Sequence, residues 1–532
     1  MEELCMFAKF KSQNLLYKIS VPAVFFLALF LRVYHLTQTP DILHLDEASI
    51  GYNAWCIAHY GVDRYLNAMP VYAQNLNGGQ SPLYTYAVAL LLKVFGGDGI
   101  PLFLVRLPGA ISSMLVVIWG TRIISLIFRS RKVTVMCALL ITICPYFIMH
   151  GRFALDCNLM LSCSLIALHS LLKYINTQKN THLIICGVCF GITLYTYALS
   201  YFVIPIFLSA AAIYLLYTKK ISISRILIWA AAVCITALPI ILFIISLLFR
   251  LPAFRFLCFT IRPVAEERMN DISNAGFWSN IMTNIRLTLT NSFYPLDAVG
   301  KYFTMYYISI PFIILGFFCS TYHFILSLIR KSFHYSSIML LFYLSGLVTI
   351  GLVSGSNIYR ANYFFASYIY FLVLGIVSVY HFVKLYRKLF IYALALCYLL
   401  WGLSFLRYYF NVYSVLELYT YPHSLYFAPA GEPVSFVENE LNADSIYCDC
   451  VTMSVFYFFY KPVSPYEFSG QNFDEMESFD HHYFEINYYT PVAPGNAYIV
   501  RKENSEFITQ LYLSDTEFDT WEYDRYYVFF CR

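Results

Sequence analysis

The stretch Leu43–Trp55 reads LHLDEASIGYNAW and places Asp46 and Glu47 side by side, shortly after the first long apolar run of the chain. Of the 532 residues, only 12% are charged and 59% are hydrophobic, whereas ordinary soluble domains carry about 25% charged residues. Such a chain cannot cover its surface with polar groups, so we expect an integral membrane protein. Two adjacent carboxylates in a chain of this kind require a specific explanation.

Apolar segments of spanning length recur along the first four-fifths of the sequence. A spanning helix needs about 20 mainly apolar residues, and eleven segments are candidates. They lie at about residues 18–36, 104–127, 133–149, 158–175, 182–198, 201–217, 226–249, 304–328, 337–355, 362–382 and 389–410. The run 82–95 is too short to span comfortably, and we interpret it as a helix lying in the outer membrane interface.

The basic residues indicate the orientation of the chain, because they concentrate at every second connection. The clusters are Lys9, Lys11 and Lys18; Arg129, Arg131 and Lys132; Lys173 and Lys179; Lys219, Lys220 and Arg225; Arg330 and Lys331; and Lys384, Arg387 and Lys388. Cytoplasmic loops carry an excess of Lys and Arg. The pattern predicts a cytoplasmic N-terminus, a long first external loop at 37–103, a polar second one at about 250–303, and an external C-terminal segment.

The composition changes after residue 410. GEPVSFVENELNAD predicts an amphipathic helix, and SIYCDCVTMSVFYFF, NAYIVRK and RYYVFFC predict strands between turn residues. We therefore expect a mostly α fold: a polytopic membrane helical bundle at 1–410 and a small extracytoplasmic α/β domain at 411–532. An external location is compatible with a disulfide from Cys531 to Cys448 or Cys450. His481 and His482 are expected at the surface of this domain.

Polar residues collect at the external ends of the spans, although they are far apart in sequence. They are Asp46, Glu47, Gln80, Arg152, Asp156, Tyr195, Tyr197 and Arg360. Ionisable groups at membrane depth are costly, so they usually face a cavity and have a function. The topology thus predicts one polar site at the outer rim of the bundle.

These residue types suit a phosphate-linked lipid substrate. The planar fork of an arginine matches phosphate oxygens, which makes Arg360 and Arg152 candidates for binding a lipid phosphate. A carboxylate such as Asp46 can accept the proton of an attacking hydroxyl, or hold a divalent cation such as Mg²⁺ or Mn²⁺. Tyrosines pack against sugar faces. Together the parts predict glycosyl transfer from a polyprenyl-phosphate sugar, with a metal cofactor left open.

The order of short motifs resembles the GT-C membrane glycosyltransferases, in particular the protein O-mannosyltransferases and the lipid A aminoarabinose transferases. The motifs are HLDEASIGYNAW, GQSPLYTY, the Arg-Leu-Pro step at 106–108, CPYFIMHGRFALDCNLM, the Tyr-Thr-Tyr element ending at Tyr197, and YRANYFF. The resemblance covers about residues 15 to 410.

The resemblance implies a role for three of these residues. Asp46 corresponds to the loop carboxylate that acts as general base, Asp156 to the acid of the second loop that supports the site, and Arg360 to an arginine for the lipid phosphate. Beside them we place Glu47 with the catalytic acids, Arg152 with the phosphate ligands, and a further set among the substrate-binding residues. That set is Gln80, Arg106, Tyr195 and Tyr197.

Each residue also has a purely structural interpretation. Asp46 and Glu47 would start a helix or lie in a solvated loop, Asp156 would cap the fourth span, and the arginines would reach lipid headgroups. Two rival functions compete with the enzyme: a transporter or lipid-linked glycan flippase, and a non-catalytic scaffold. The net charge of +4 is small and gives nucleic-acid binding no support.

The expected enzyme transfers a hexosyl or pentosyl group, and its acceptor is a glycan, a lipid or a protein. The short polar loops favour a bacterial plasma membrane as its location.

Overall fold

The computed structural model describes residues 19–75, 78–263, 276–290, 298–352, 358–413, 427–428, 431–449, 453–468, 476–487, 489–514 and 516–532. A helix occupies each of the eleven predicted spans, which confirms the polytopic bundle. These helices are α1 (Ile19–Val33), α4 (Leu102–Phe128), α5 (Arg131–Ile143), α7 (Asn158–Thr177), α8 (Asn180–Thr193), α9 (Ser200–Tyr217), α10 (Ile223–Phe249), α12 (Ile310–Ile329), α13 (Tyr335–Gly351), α14 (Phe364–Phe382) and α15 (Arg387–Asn411).

Among the described residues, seven helices are long and apolar enough to cross a membrane by themselves. The other four bundle helices are shorter; α5, for example, has 13 residues and is continued by the short α6 (Pro145–Met149). Pro145 separates the two pieces, since proline is accepted in the first turn of a helix but not in its interior. The chain is therefore a multi-pass membrane protein with several short or broken spans.

Helices α12 and α14 approach each other backbone to backbone. A Cβ on Gly316 would lie 1.9 Å from the carbonyl oxygen of Phe371, and a Cβ on Gly375 would lie 2.0 Å from that of Phe312. Without a hydrophobic driving force between helices in lipid, small residues that permit close approach stabilise the contact. The two glycines thus fix the crossing of α12 and α14.

The first loop, at residues 37–103 and predicted to be external, is more ordered than its sequence suggested. It contains strand β1 (Leu43–His44), helix α2 (Leu45–Tyr60), the hairpin of β2 (Ala73–Asn75) and β3 (Gly78–Gln80), and helix α3 (Leu83–Phe95). Helix α3 confirms the helix predicted at 82–95. Helix α2 carries the two acids in its first turn. It is followed by Gly61, whose φ of 74° is the left-handed conformation of a common helix stop.

The second loop that was predicted to be external, at about residues 250–303, packs against the first. It contains the hairpin of β4 (Phe254–Phe256) and β5 (Phe259–Ile261), followed by helix α11 (Phe277–Leu289). The N–H of Val71 donates to the carbonyl of Thr260 at 3.1 Å, which ties the two loops together. The polar segment VAEERMNDISN lies outside the described residues.

The C-terminal segment forms a six-stranded sheet in the order β11-β12-β10-β7-β9-β8. Its strands are β7 (Ser445–Cys448), β8 (Ser478–Phe479), β9 (His482–Tyr483), β10 (Asn496–Arg501), β11 (Phe518–Glu522) and β12 (Tyr526–Cys531), and its helices are α16 (Gly431–Glu440), α17 (Met453–Tyr460) and α18 (Ser505–Leu513). Strands β10, β7 and β9 run parallel and the other neighbours antiparallel.

The two faces of this sheet have separate cores. One face packs on α16 and α17, and the other on α18. A groove of about 840 Å³ lies beside α18 on the second face.

The predicted helix at 431–444 and the strands at NAYIVRK and RYYVFFC are confirmed. The prediction of a strand throughout SIYCDCVTMSVFYFF was wrong, because its second half is helix α17. Seven consecutive residues of α17, Met453–Phe459, are buried, so no alternation marks its period. A short, continuously apolar run cannot be assigned to strand or helix by periodicity alone.

Two expectations for side chains in this domain also change. Cys448 lies on β7 and Cys531 on β12, with β10 between them, a separation of about 10 Å that no disulfide between these two residues bridges. Cys450 lies outside the described residues. His482 is only 8% exposed and bonds to Glu438 at 2.9 Å, so it is not a surface residue.

Helix α2 connects the bundle to the C-terminal domain. Strand β1 pairs with β6 (Phe427–Ala428), the Tyr52 hydroxyl donates to the carbonyl of Val463 at 2.7 Å, and both sides contribute residues to one hydrophobic core. A Cβ on Gly51 would lie 2.5 Å from the Phe459 ring. The loop at 37–103 and the C-terminal domain therefore lie on the same side of the bundle.

The contact at Gly51 gives a test of this docking. We expect Gly51→Val to destabilise the protein by about 1–3 kcal/mol, the usual cost of overpacking, because the new methyl groups meet the Phe459 ring. Thermal unfolding in detergent measures the effect. Gly99→Val is the control, since nothing lies within 4 Å of a Cβ there; equal melting temperatures for the two variants would contradict the packing.

Candidate functional site

A buried ion pair lies at the centre of the site. Glu47 and Arg106 are both 0% exposed, and Nε and Nη2 of Arg106 donate to the two carboxylate oxygens of Glu47 at 2.9 Å each. The carboxylate also accepts the N–H of His44 at 3.1 Å and the N–H of Ala154 at 2.8 Å. Glu47 thereby joins the start of α2 to α4 and to the loop that precedes α7.

Arg106 uses its remaining donors on the chain between α1 and α2. Nη1 donates to the carbonyls of Leu36 and Pro40 at 3.0 and 2.7 Å, and Nη2 donates to that of Ile42 at 2.7 Å. With the two bonds to Glu47, these contacts match the five N–H groups of a guanidinium. Both side chains are thus committed to holding the fold around Asp46.

Asp46 is the exception in an otherwise buried stretch. From Ile42 to Cys56 every residue is buried apart from Asp46, whose side chain is 36% exposed. Its Oδ1 accepts from Asn75 Nδ2 at 3.4 Å, and its N–H donates to His44 Nδ1 at 3.1 Å. A rigid helix start thus presents one carboxylate to solvent.

Asp156 fixes the end of the β2–β3 hairpin. Its Oδ2 accepts the N–H of Ser81 at 3.0 Å and its Oδ1 accepts the N–H of Cys157 at 2.8 Å. Gln80, at the end of β3, is 4% exposed, and its Oε1 is buried without a hydrogen-bond partner among the described residues. Since a buried acceptor without a partner is costly, Gln80 offers an unfilled hydrogen-bonding position beside Asp156.

Arg152 is also fully buried, and it caps the end of α1. Its guanidinium donates to four backbone carbonyls at 2.7–3.0 Å. They belong to Leu31, Tyr34, His35 and Thr39. Cations at a helix C-terminus satisfy its free carbonyls and interact well with its dipole.

Arg360 lies on a short 3-10 helix, Ile358–Ala361, and is half-buried. Two residues further on, the buried Asn362 donates to the carbonyl of Cys157 at 2.7 Å. The segment that carries Arg360 is therefore joined directly to the loop that carries Asp156.

Tyr195 and Tyr197 border the same region. The carbonyl of Tyr195 accepts the N–H of Leu83 at 3.4 Å, which links this turn to the residues after the hairpin, and its hydroxyl donates to the carbonyl of Thr236 at 3.0 Å. Tyr197 is 6% exposed. The connections that the sequence placed on one face of the membrane are thus in contact.

Arg64 is a further buried cation, which the sequence patterns did not single out. Arg64 is 2% exposed and donates to Asn75 Oδ1 at 2.8 Å and to Ser49 Oγ at 2.9 Å. Burial raises the pKa of the adjacent Asp63, against hydrogen bonds from Asn67 and the N–H of Tyr65. The only signal was an Asp-Arg pair inside a loop already expected to be polar, and nothing in its spacing pointed to Asp46.

Arg32 was missed for a similar reason. It is 0% exposed and donates to Ser113 Oγ at 2.7 Å and to the carbonyls of Ala28, Ile141 and Thr142. An arginine near the end of an apolar run is typical of a side chain that reaches the lipid headgroups. The role of Arg32 between helices depends on tertiary contacts, which the sequence pattern does not contain.

One group of metal-type donors occurs among the described residues: Asp480, His481 and His482, whose ligand atoms lie within 4.8 Å of one another. The group belongs to the C-terminal domain and includes neither Asp46 nor Asp156. Both ring nitrogens of His482 already contact other acceptors, the carbonyl of Phe479 and Glu438. A divalent cation at the acids of the first loop stays a prediction.

The ion pair gives a further test. We expect Glu47→Gln to destabilise the fold by about 3–5 kcal/mol, because removing one partner leaves Arg106 as an uncompensated buried charge. Denaturation of the purified protein in detergent measures this, with Glu440→Gln on the exposed end of α16 as the control. Equal stability of the two variants would show that the pair does not hold the loop.

Comparison with known proteins supports the same architecture. The sequence model of the dolichyl-phosphate-mannose-protein mannosyltransferase family matches residues 79–246. A search of curated protein sequences found no match.

Among solved structures, ArnT from Cupriavidus metallidurans bound to undecaprenyl phosphate is 10% identical with a TM-score of 0.58, and the alignment covers 97% of this chain and 98% of that one. The oligosaccharyltransferase AglB from Archaeoglobus fulgidus is 12% identical, with a TM-score of 0.49. The alignment covers 85% of this chain but only 64% of the length of AglB. At this identity the comparison shows that the chain shares the fold of ArnT, and the partial family match lies within the residues that resemble the GT-C membrane glycosyltransferases.

Proposed function

We propose that the chain is an integral membrane glycosyltransferase. It moves a hexosyl or pentosyl group from a polyprenyl-monophosphate donor to an acceptor on the extracytoplasmic face. The observation that carries the proposal is the exposure of Asp46 alone in a stretch that is otherwise buried from Ile42 to Cys56. The partial match to a family that uses dolichyl-phosphate mannose, and the undecaprenyl phosphate bound to ArnT, support the choice of donor.

The step is a direct displacement at the anomeric carbon. The acceptor hydroxyl attacks C1 from the face opposite the phosphate, its proton passes to Asp46, and the bond from C1 to the phosphate oxygen breaks. The anomeric centre is inverted and polyprenyl phosphate leaves. Phosphate is a good leaving group, so the protein mainly orients the reactants and stabilises charge.

Arg360 is our candidate for the phosphate. It is half-buried and its segment is bonded to the loop of Asp156, whereas the guanidinium of Arg152 donates to four carbonyls of the chain. An arginine stabilises the charge that develops on the leaving oxygen. Arg152 then acts on the site indirectly, by fixing the end of α1.

The sugar is placed beside the hairpin. We assign the buried, unpartnered Oε1 of Gln80 to a sugar hydroxyl, Asp156 to holding the hairpin end that carries Gln80, and Tyr195 and Tyr197 to the wall of the sugar site. Glu47 and Arg106 are assigned to positioning, since their charges neutralise each other and their contacts are filled. A Mg²⁺ or Mn²⁺ ion is not required by this scheme.

We place the protein in a plasma membrane with its N-terminus in the cytoplasm. The C-terminal domain then faces outward and lies beside the site, where it contributes to acceptor binding. The acceptor is a glycan, a lipid or a protein. A transporter or lipid-linked glycan flippase is the alternative, and it requires a path that is accessible from both faces of the membrane.

Asp46→Asn tests the base. Because the amide keeps the shape of the carboxylate but cannot accept the proton, we expect turnover to fall by about 10²–10⁴-fold, the usual contribution of such a base, with an unchanged melting temperature. Purified protein in nanodiscs is given undecaprenyl-phosphate-linked mannose, glucose or arabinose and membranes from a strain that lacks the protein. Release of undecaprenyl phosphate is measured by mass spectrometry.

The control for Asp46→Asn is Asp98→Asn, a change at an exposed position of the same loop. Full turnover by Asp46→Asn would overturn the assignment of the base. Passage of the lipid across the membrane without release of its sugar would instead indicate a flippase.

Arg360→Gln tests the phosphate site. We expect a rise of about tenfold or more in KM for the lipid donor and a lower kcat, since a charge-assisted contact to phosphate is lost. Arg360→Lys should restore part of the activity, because it keeps the charge without the bidentate fork. Unchanged kinetics for Arg360→Gln would remove Arg360 from the site.

A further inference from the structure

Asp46 is linked to the buried interior of the first loop through one amide. Asn75 lies at the end of β2, and its Nδ2 donates to Asp46 Oδ1 at 3.4 Å. Its Oδ1 accepts a hydrogen bond from Arg64 Nη2 at 2.8 Å. Arg64 and Asn75 are 2% and 6% exposed, whereas the Asp46 side chain is 36% exposed. A chain of hydrogen bonds thus runs from a buried guanidinium to the exposed carboxylate.

Two donors determine which way the amide of Asn75 points. The hydroxyl of Ser49 also donates to Asn75 Oδ1, so this oxygen receives hydrogen bonds from both Ser49 and Arg64. If the amide were flipped, its NH₂ group would face the guanidinium of Arg64, which can only donate, and its oxygen would face a carboxylate. The network therefore assigns the orientation of the amide, and the NH₂ group must face Asp46.

Arg64 itself is held from several directions. Its guanidinium donates to Ser49 Oγ at 2.9 Å and lies 5.2 Å from the centre of the Tyr65 ring. The backbone N–H of Arg64 donates to Asn53 Oδ1 at 3.2 Å. Ser49 and Asn53 lie on α2, the helix that Asp46 begins. The cation thus fastens the hairpin strand β2 to the same helix that carries the acid.

The hydrogen bond from Asn75 affects only one oxygen of Asp46. The other, Oδ2, accepts no hydrogen bond within the described part of the chain, and its near neighbour is His44 Nδ1 at 3.7 Å. That nitrogen already accepts the N–H of Asp46, so it has no proton to give. One carboxylate oxygen is therefore fixed and the other is left to accept a proton.

We propose that Arg64 and Asn75 are positioning residues for Asp46, which hold Oδ1 so that Oδ2 faces the acceptor hydroxyl. The proposal rests on the proposed function, in which Asp46 is the base. Neither residue touches the reacting atoms. Small errors in the placement of a reacting group reduce the rate strongly, so the effect should appear in kcat.

Asn75→Asp separates this role from a structural one. The carboxylate keeps the shape of the amide and both contacts on the buried side, with Ser49 and Arg64, so the fold is retained or stabilised. It cannot donate to Asp46 and instead sets a second negative charge beside it. We expect kcat to fall by about 10–100-fold, part of what a general base supplies, with KM for undecaprenyl-phosphate-linked sugar within about threefold of wild type.

Gln74→Glu is the matched control. It makes the same change of charge one residue earlier on β2, where the side chain points to the opposite sheet face, and we expect its kcat within about threefold of wild type. Arg64→Lys should retain more turnover than Arg64→Gln, since the ammonium keeps a charged donor for Asn75. Melting temperatures in detergent verify that each variant is folded.

The outcomes separate this proposal from the one on which it rests. Wild-type kcat for Asn75→Asp, together with loss of turnover in Asp46→Asn, would overturn the positioning role and leave the base assignment intact. Full turnover in Asp46→Asn would overturn both. A lower kcat in Gln74→Glu equal to that in Asn75→Asp would show a general effect of charge in the hairpin, and would also overturn the positioning role.

Discussion

The ion pair of Glu47 and Arg106 is the constraint on which the outer half of the molecule depends. It lies where α2, α4 and the loop before α7 meet, and every donor of the arginine is used. A buried pair often adds little net stability compared with apolar residues of the same size. Its effect here is one of geometry, because it specifies how the chain leaves α1 and enters α2. The exposed acid is the neighbour of the buried one, so its direction follows from the pair.

Buried arginines recur around this point, and each satisfies backbone or amide groups. Arg152 caps α1, Arg32 joins α1 to the carbonyls of α5, and Arg64 fastens the hairpin to α2. Irregular backbone at the edge of a bilayer must have its polar groups satisfied by the protein. Arginine suits this task because its planar fork binds several carbonyls at once. The irregular segments of the first loop can therefore lie within a packed core.

Sequence patterns were sufficient to predict the helices of the bundle and the contact between the loops that carry the polar residues. Long apolar runs and alternating basic clusters depend on local composition, and the eleven helices occupy the predicted segments. Most of the acids and arginines that the loops bring together were also noted in the sequence, since charge is rare in this chain, but Arg64 and Arg32 were missed.

What the patterns could not distinguish is which of these charges are neutralised by a neighbour. Glu47 and Asp46 are adjacent and of the same type, yet one has every contact filled and the other reaches solvent. That difference arises from Arg106, 59 residues away from Glu47. Helix α17 was predicted to be a strand because a uniformly apolar segment has no polar–apolar periodicity that would distinguish a helix from a strand.

Helix α2 is covered on one side by the bundle and on the other by the C-terminal domain through α17, so that most of its residues are buried. Deleting the C-terminal domain would uncover a continuous strip of aromatic and aliphatic side chains on α2, so this domain is not a detachable module. The sheet face that packs on α16 and α17 therefore has little freedom to change. The other face, where α18 borders the groove, forms a separate core that contains no described residue of α2. Sequence divergence would therefore concentrate on the face of the sheet that packs on α18.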